Sequence, residues 1–290
     1  ADALVTLGGG AATGLAKALR LEEPGASASF IAIPTTYSAS EQTTIYGVRR
    51  DGEKQTGRDP KAQPDVVIYD SSLTEAMPPA LTAKSLMNAL AHPVSALTAG
   101  PDEPIRELAL RAIEETVFAL EQLAEAPTSR SAREAAFRAT ARCGTIIERG
   151  TLGRHHRMAH FLGGTFDLDH AGAHSILLLH NLHDLVHEQP ELYGAISEAA
   201  GVEDLPGRLF EILKRGDAPT ALSKLGVERE PLEEALANES ELPATTFLSA
   251  FHGGYPSARI RLEDWGLDRP VRRAGPELAE AERVVVAIHG

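Results

Sequence analysis

The sequence is poor in cysteine: Cys143 is the only one among 290 residues. A single thiol cannot form an internal disulfide, nor can it supply the paired cysteines of a zinc site or a redox motif. Cys143 also lies among helix-forming residues, where a cysteine is typically a small buried apolar side chain. We therefore predict that Cys143 packs in a core and has no chemical role.

Long apolar runs are also missing. No stretch approaches the roughly 18 to 20 uncharged apolar residues that span a bilayer. The first residues do not follow the basic and then apolar pattern of a secretory signal. We therefore expect no membrane partner and a cytoplasmic location.

Basic residues are in the minority. The 28 Lys and Arg residues stand against 41 Asp and Glu, which gives a formal net charge of -13. Binding to nucleic acid needs a basic face, and the absence of any long Lys or Arg run argues against such a partner. The same negative charge repels an anionic substrate, so a site for one must contain a local group of cations.

The residues that are present predict two structural regions. Hydrophobic residues make up 43% of the chain, enough for a large core. Strands are predicted at 3–7, 27–33 and 66–69, and a helix at 11–21. The segment between 43 and 61 is predicted to be a hairpin or a loop, with Asp51-Gly52 at its turn. Later, apolar residues recur at helical spacing and predict helices at 81–97, 104–123 and 131–149.

This pattern predicts a partial α/β dinucleotide-binding domain over residues 1–78 and an all-α catalytic domain over residues 79–290. Open parallel sheets of this kind normally have strands before the phosphate loop, so we expect the α/β part to be N-terminally incomplete. The strand-like segment Val284–Ile288 has no place in this scheme.

A glycine turn and a run of hydroxyl residues are candidates for cofactor binding. Three glycines lie between a predicted strand and a predicted helix, where backbone N–H groups can approach a phosphate, although such a turn can also be purely structural. Hydroxyl residues follow the end of the second strand, at the edge where open α/β sheets bind ligands. The candidate residues are Gly8, Gly9, Gly10, Thr13, Thr35, Thr36, Tyr37 and Ser40.

Histidines are concentrated in one segment: five of the eleven lie within twenty residues. His156 and His160 share a face if the segment is helical, and His170 and His174 repeat that spacing. Imidazoles at such spacing suit metal binding or proton transfer. The group therefore predicts a functional site, although any one histidine can be structural. A further trio is expected to face solvent or an interface: His180, His183 and His187.

Asn88 and His92 form another pair four residues apart. With His156 and His170 they would complete a carboxylate and three-histidine metal site if residue 88 were an aspartate. Asparagine is neutral and a poor ligand for such an ion. We therefore predict that the four positions are vestigial and that no metal is required.

The glycine turn, the hydroxyl run, the Asn88–His92 pair and the histidine segment follow one another along the chain. These motifs and their order resemble the iron-type alcohol dehydrogenase superfamily. The resemblance runs from Gly8 to about His180 and covers GGGAATGLAKAL, PTTYSASE, MNALAH and HHRMAHFLGGTFDLDHAGAH. The forms YSASE, TGRD, YDSSLT and GGTFDL resemble the maleylacetate reductase branch more than the alcohol-oxidising branches. The sequence departs from the superfamily's pattern at Ala11, where a serine is usual, and at Asp169, where a proline is common.

The resemblance implies a dehydroquinate synthase-like architecture, with the active site in a cleft between an α/β cofactor domain and a helical domain. It implies a homodimer that uses NADH or NADPH to reduce the carbon–carbon double bond of maleylacetate, giving 3-oxoadipate in the degradation of aromatic compounds. The choice between the two cofactors stays open.

Hydride addition to this dicarboxylate moves negative charge to the ketone oxygen, so catalysis needs a hydrogen-bond donor there and a proton for carbon. Histidines can supply both without a metal. The catalytic candidates are His92, His156, His160 and His170. The candidates for binding the substrate carboxylates are Tyr46, Lys54, Arg58, Arg154 and Arg157. Arg58 is preferred, because a guanidinium binds a carboxylate through two parallel hydrogen bonds.

Two alternatives remain open. The first is a metal-dependent alcohol or polyol dehydrogenase of the same superfamily, which bound iron or zinc would favour. The second is a non-catalytic remnant that keeps the helical domain but lacks a complete cofactor fold, which a failure to bind either nicotinamide cofactor would favour.

Overall fold

A computed structural model describes residues 3–22, 27–50, 53–151, 153–239 and 241–254. The predicted hairpin turn Asp51-Gly52 and the segment Val284–Ile288 lie outside these residues. In chain order, the first elements are β1 (Ala3–Gly8), α1 (Gly10–Arg20), β2 (Ser29–Pro34), β3 (Ile45–Arg50), β4 (Glu53–Arg58) and β5 (Val66–Val67). The helices that follow are α2 (Pro79–Thr98), α3 (Glu103–Glu125), α4 (Arg130–Arg149), α5 (Arg154–Phe166), α6 (His170–Glu188), α7 (Pro190–Ala200), α8 (Leu205–Arg215), α9 (Arg229–Ala237) and α10 (Ala244–His252).

The N-terminal part is a small parallel sheet with one helix packed on it. The strands lie in the order β1-β2-β5, and both pairings are parallel. Helix α1 connects β1 to β2, as parallel neighbours require. Ala16, Phe30 and Ala32 are buried between helix and sheet, whereas Val5 and Leu7 of β1 are exposed. The predicted strand–glycine–helix unit is confirmed, with shifts of one or two residues at its ends.

The predicted hairpin is also confirmed. Strands β3 and β4 pair in antiparallel register, from Ile45 opposite Arg58 to Arg50 opposite Glu53. The hairpin follows the hydroxyl-rich loop and lies beside α1 and the end of α4. It therefore lies at the junction between the sheet and the helices.

Helix α2 is the centre of the helical part. Every residue from Ser85 to Leu97 is buried, as in a helix that is covered on all sides. Helices α3 to α8 all contact it. Pro93 lies inside α2 and has no N–H to donate, yet the helix continues from Pro79 to Thr98.

A second apolar core lies on the far side of α6, where α5, α9 and α10 pack. Its buried members include Met158, Leu162, Ile176 and Phe247. Helix α6 separates this core from the one around α2, because Leu178, Leu179 and Leu182 belong to the α2 core. The histidines of α5 and α6 are therefore held between two apolar clusters.

The fold class predicted from the sequence is confirmed: an α/β part is followed by a helical part. Helix α2 begins at Pro79, where the predicted second domain begins. Whether residues 1–78 and 79–290 are separate folding units stays a prediction. Cys143 is buried, as expected, and burial raises the pKa of its thiol, so it remains protonated and unreactive. No helix of the described residues is long and apolar enough to cross a membrane.

Two contacts dock the loop after β2 on the helical part. A Cβ at Gly144 of α4 would lie only 3.0 Å from the carbonyl oxygen of Ala39 and would overlap the Gln42 side chain. Glu148 accepts hydrogen bonds from Thr44, from its backbone N–H at 2.9 Å and its hydroxyl at 2.8 Å. The loop therefore needs a glycine and a carboxylate, both supplied by α4.

Lys17 ties α1 to the same loop from the other side. Its buried ammonium donates to the carbonyl oxygens of Thr43 and Ile45, both at 2.6 Å, and to the Thr43 hydroxyl at 3.0 Å. Burial lowers the pKa of Lys17 to about 8, although the nearby carboxyls of Glu41 and Glu148 act in the opposite direction. Lys17 thus links α1 to the loop through three hydrogen bonds.

We predict that Lys17→Met lowers the free energy of unfolding by about 2 to 3 kcal/mol, because it leaves buried carbonyl groups without donors. Urea denaturation at neutral pH measures the change. Lys61→Met is the matched control, since Lys61 is exposed, and it should cost less than about 0.5 kcal/mol. Equal losses in the two variants would show that the Lys17 hydrogen bonds do not stabilise the fold.

Candidate active site

Histidines from three helices meet beside the centre of α2. His92 comes from α2, His156 from α5, and His174 from α6. The ring centroid of His156 lies 4.7 Å from that of His92 and 4.9 Å from that of His174. The ring of His155 lies 5.1 Å from that of His174. We call these four residues the inner histidines.

The inner histidines form two hydrogen-bonded pairs. His92 Nδ1 lies 2.7 Å from His156 Nε2, and His155 Nε2 lies 3.0 Å from His174 Nδ1. All four side chains are buried. In each pair one ring donates its N–H and the other accepts, so the tautomers of the two rings are linked.

Burial keeps the inner histidines neutral. Removal from water is the main reason that the pKa values of His92 and His155 fall to about 3, and neighbouring imidazoles contribute to the same shift. The pKa values of His156 and His174 are also well below the ordinary value, for the same first cause. At neutral pH these rings can donate and accept hydrogen bonds, but they do not carry a releasable second proton.

Two further histidines lie at the rim of this cluster. His160 and His170 are exposed, and their ring centroids are 6.3 Å apart. The ring of His170 is only 4.3 Å from that of buried His174. His160 and His156 also line an open cleft of about 530 Å³. A molecule bound in this cleft would therefore contact both the exposed His160 and the buried His156.

Several buried polar atoms of this region have no hydrogen-bond partner among the described residues. They are Asn88 Oδ1, His155 Nδ1, His156 Nδ1 and His174 Nε2. Buried polar atoms are normally paired, and exceptions of this kind occur at functional sites. The cluster therefore has unused hydrogen-bonding capacity next to the cleft.

The glycine turn and the hydroxyl loop lie against each other at the end of the sheet. Helix α1 begins at Gly10, its N-cap is Gly9, and its first turn has neither an acidic residue nor a side-chain cap. The Thr35 N–H donates to the Gly8 carbonyl at 3.0 Å. A Cβ at Gly9 would lie 2.9 Å from the Thr36 methyl carbon. The uncapped N–H groups and the partial positive charge of the helix suit a phosphate.

Comparison with known proteins agrees with this geometry. Residues 1–71 match the family described as iron-containing alcohol dehydrogenase, and residues 82–249 match its C-terminal domain, the Fe-containing alcohol dehydrogenase family. The chain belongs to the iron-containing alcohol dehydrogenase family.

The similar proteins within this family include several maleylacetate reductases. The one from Pseudomonas aeruginosa is 35% identical over 273 residues, which cover 89% of this chain and 76% of the relative. The one from Burkholderia cepacia is 39% identical over 236 residues, 81% of this chain and 66% of the relative. The crystal structure of maleylacetate reductase from Agrobacterium tumefaciens has a TM-score of 0.78 at 36% identity and covers 88% of this chain and 76% of its own.

The residues at the family's metal-binding positions do not fit a divalent cation in this chain. Residue 88 is an asparagine, so no carboxylate balances the charge of an ion. His92 and His156 direct ring nitrogens at each other across 2.7 Å rather than at a common point. Among the described residues, no three His, Cys, Asp or Glu side chains are arranged to hold a metal ion.

Most of the cations predicted to bind substrate are engaged with acidic groups. Arg58 contacts the Glu148 carboxylate at 3.1 Å and donates to the Ile147 carbonyl at 2.9 Å, at the C-terminus of α4. Arg154 pairs with Glu188 at 2.7 Å. Arg157 and Glu241 both line the cleft, and the Arg157 guanidinium lies 3.8 Å from the Glu241 carboxylate. The Lys54 side chain lies outside what the structure describes.

Two tyrosines predicted to contact ligands pack elsewhere. The Tyr37 side chain is buried in the helical core, and its hydroxyl donates to Thr74 at 3.0 Å and accepts from Arg133 at 3.3 Å. The Tyr37 N–H is also used, donating to Ser85 Oγ at 2.8 Å. The Tyr46 ring covers Gly57 of β4, where a Cβ would lie 2.7 Å from its hydroxyl oxygen. Tyr37 therefore anchors the loop instead of extending from it.

The structure adds residues that the sequence did not single out as candidates. His155 and His174 complete the inner cluster; they are part of the recognised histidine segment, but only the packing of α5 on α6 pairs them. Lys84 lies one helical turn before Asn88, on the same face of α2. Its ammonium contacts the Asp169 carboxylate at 2.7 Å, directly before His170. The sequence signal that could have identified Lys84 is its position four residues before Asn88, because that spacing puts both residues on one face of a helix.

The prediction for the later histidine trio is wrong for two of its members. His180 and His183 are only 5% and 6% exposed, so they are buried within the chain, while His187 is exposed. Helix α6 lies between two apolar cores, which covers more of its surface than spacing alone indicated. Burial lowers the pKa of His180 to about 3.

We predict that the fold loses stability as pH falls below neutrality. A buried histidine with a lowered folded pKa binds its proton more readily when unfolded, so its stabilisation is present above the ordinary pKa of 6.5 and is lost below it. Between pH values of about 7.5 and 6.0, the free energy of unfolding should fall by about 0.8 kcal/mol for each such histidine. Asp184, whose pKa burial raises to about 6, offsets part of this loss.

Urea denaturation at the two pH values measures the effect. His180→Gln should reduce the difference in the free energy of unfolding between the two pH values by about 0.8 kcal/mol, the contribution of one buried histidine. His187→Gln on the same helix is the control, because His187 is exposed. An unchanged pH dependence in the His180→Gln protein would contradict this account.

Proposed function

We propose that this chain is a maleylacetate reductase that uses NADH or NADPH and needs no metal. The observation that carries the proposal is the buried set of neutral, mutually hydrogen-bonded histidines beside Asn88, where a metal-dependent relative needs a carboxylate. It agrees with relatives of that name at 35% and 39% identity. A homodimer and a cytoplasmic location stay predictions from the resemblance.

The cofactor's diphosphate fits the uncapped N-terminus of α1. Gly8, Gly9 and Gly10 allow close backbone approach, and Thr13, Thr35, Thr36 and Ser40 are the neighbouring hydroxyl candidates. The anchoring of this loop by Lys17 and α4 fixes its position before a ligand binds. When bound, the reduced nicotinamide supplies a hydride.

Hydride reaches the alkene carbon farther from the ketone, and the electron pair of the double bond moves to the ketone oxygen. Neutral imidazole N–H groups of His92 or His156 suit this enolate oxygen, because a desolvated donor stabilises developing charge more strongly than water does. The carbon next to the ketone then takes a proton. His160 and His170 are the candidates for this step, because they are exposed and can exchange protons with solvent.

The two carboxylates of the substrate need cations. Arg58, Arg154 and Lys84 are each paired with an acidic residue, and we propose Lys84 as an additional partner for one carboxylate because of its position on α2. Lys84 shares a face of α2 with Asn88 and His92, and its present partner, Asp169, mimics a substrate carboxylate. Substrate would exchange with Asp169 on the ammonium.

The proposed activity is tested by the absorbance at 340 nm of chelator-treated protein mixed with maleylacetate and NADH or NADPH. We expect oxidation of at least one cofactor without added metal. Activity that appears only with iron or zinc, on a primary alcohol, would favour the metal-dependent dehydrogenase. Failure to bind either cofactor by a folded protein would favour the non-catalytic alternative.

We predict that Lys84→Gln raises the KM for maleylacetate by about tenfold to a hundredfold, as expected for a lost charge-assisted hydrogen bond, with a smaller effect on kcat. Steady-state kinetics measure both constants. Asp169→Asn should lower or preserve KM, because it frees the ammonium while keeping a cap for α6. Exposed Lys224→Gln is the charge control. If the ion pair is only structural, Lys84→Gln and Asp169→Asn will both reduce stability and leave KM unchanged.

A further inference from the structure

Arg133 of α4 is the largest side chain that is fully buried among the described residues. Within the described residues, its guanidinium donates only to uncharged oxygens. Nε and Nη2 donate to the Pro127 carbonyl at 3.1 and 2.5 Å, Nη1 donates to Tyr37 Oη at 3.3 Å, and Nη2 donates to the Glu75 carbonyl at 3.5 Å. No carboxylate in the described part of the chain lies within ion-pair distance of it. A buried charge without a counter-ion is costly, and such groups normally have one.

Arg133 lines a cavity of about 230 Å³. Its wall includes Arg133 and Pro127, the residue whose carbonyl takes two of the guanidinium hydrogen bonds. The remaining wall is largely apolar and comes from α2, α3 and α8, including Leu86, Leu120, Leu123 and Ile212. The cavity is separate from the cleft at the histidines, which α5 and the segment around Glu241 line.

A second positively charged side chain lines this cavity. Arg215, at the end of α8, lines it and is exposed, whereas none of the described lining residues is acidic. A guanidinium has five N–H donors, and the contacts of Arg133 use four, which leaves one on Nη1. The cavity thus combines apolar walls with two positive groups and no negative one.

We propose that this cavity binds a small organic anion that has one carboxylate and a compact apolar body. The carboxylate would lie between Arg133 and Arg215, and the apolar body would contact the leucines. A dicarboxylate such as the proposed substrate is a poor fit, because its second charge would be buried among apolar side chains. The proposal does not depend on the proposed reaction.

Isothermal titration calorimetry with benzoate and with hexanoate tests the site, since the two probes distinguish aromatic from aliphatic ligands. We expect at least one of them to bind, one molecule to each chain, and the neutral amide of that probe to bind at least about tenfold more weakly. No binding of either carboxylate at about 10 mM would overturn the proposal. Equal binding of acid and amide would also overturn it, because the arginines would then play no part.

Substitutions locate the bound probe. Ala124→Leu fills the cavity and should abolish binding, while Arg215→Gln should weaken it by about threefold, a modest effect because Arg215 is exposed. Arg133 is unsuitable for a first test, since its loss also frees Tyr37 and the Pro127 carbonyl. His170→Gln is the control and should leave probe binding unchanged.

Circular dichroism checks that each variant is folded. If the Ala124→Leu protein does not fold, the Arg215→Gln protein still tests the proposal. A probe affinity that Ala124→Leu and Arg215→Gln both leave unchanged would overturn the proposal, and so would binding that His170→Gln removes, because the probe would then lie at the histidines.

Discussion

Desolvation of the imidazoles around α2 is the constraint on which the proposed chemistry depends. Helix α2 is covered on all sides, and the inner histidines are buried with it and removed from water. A charged ring is unfavourable there, so the rings remain neutral and satisfy one another in pairs. Neutral donors in a dry site suit an enolate oxygen, whereas proton exchange is left to the exposed rings at the rim.

Asn88, His92 and His156, at the family's metal-binding positions, lie in the same buried region. Each neutral imidazole here uses a nitrogen to bind another imidazole, and Asn88 contributes no charge. A divalent ion in this place would be surrounded by neutral, desolvated groups that already bind each other. The proposal of a metal-free reaction rests on this pairing and on the asparagine at position 88.

The second constraint is the junction between the sheet and the helices. The loop after β2 is held from one side by Lys17 and from the other by Gly144 and Glu148. Burial of Glu41 within this loop raises the pKa of its carboxyl, and Tyr69 donates a hydrogen bond to it at 2.9 Å. These contacts place the glycine turn at a fixed position relative to α2, which a reaction between a cofactor and a substrate requires.

The sequence by itself determined the order of elements, the strand–glycine–helix unit, the hairpin and the concentration of histidines, because each depends on local spacing that neighbouring residues set. It also determined the absence of a carboxylate at position 88. Only the tertiary structure decided which side chains face one another. It paired His155 with His174, buried Tyr37 and His180, matched Arg58 and Arg154 with glutamates, and brought Asp169 to Lys84. These outcomes depend on contacts between residues distant in sequence, and on the desolvation that those contacts produce, which no local pattern encodes.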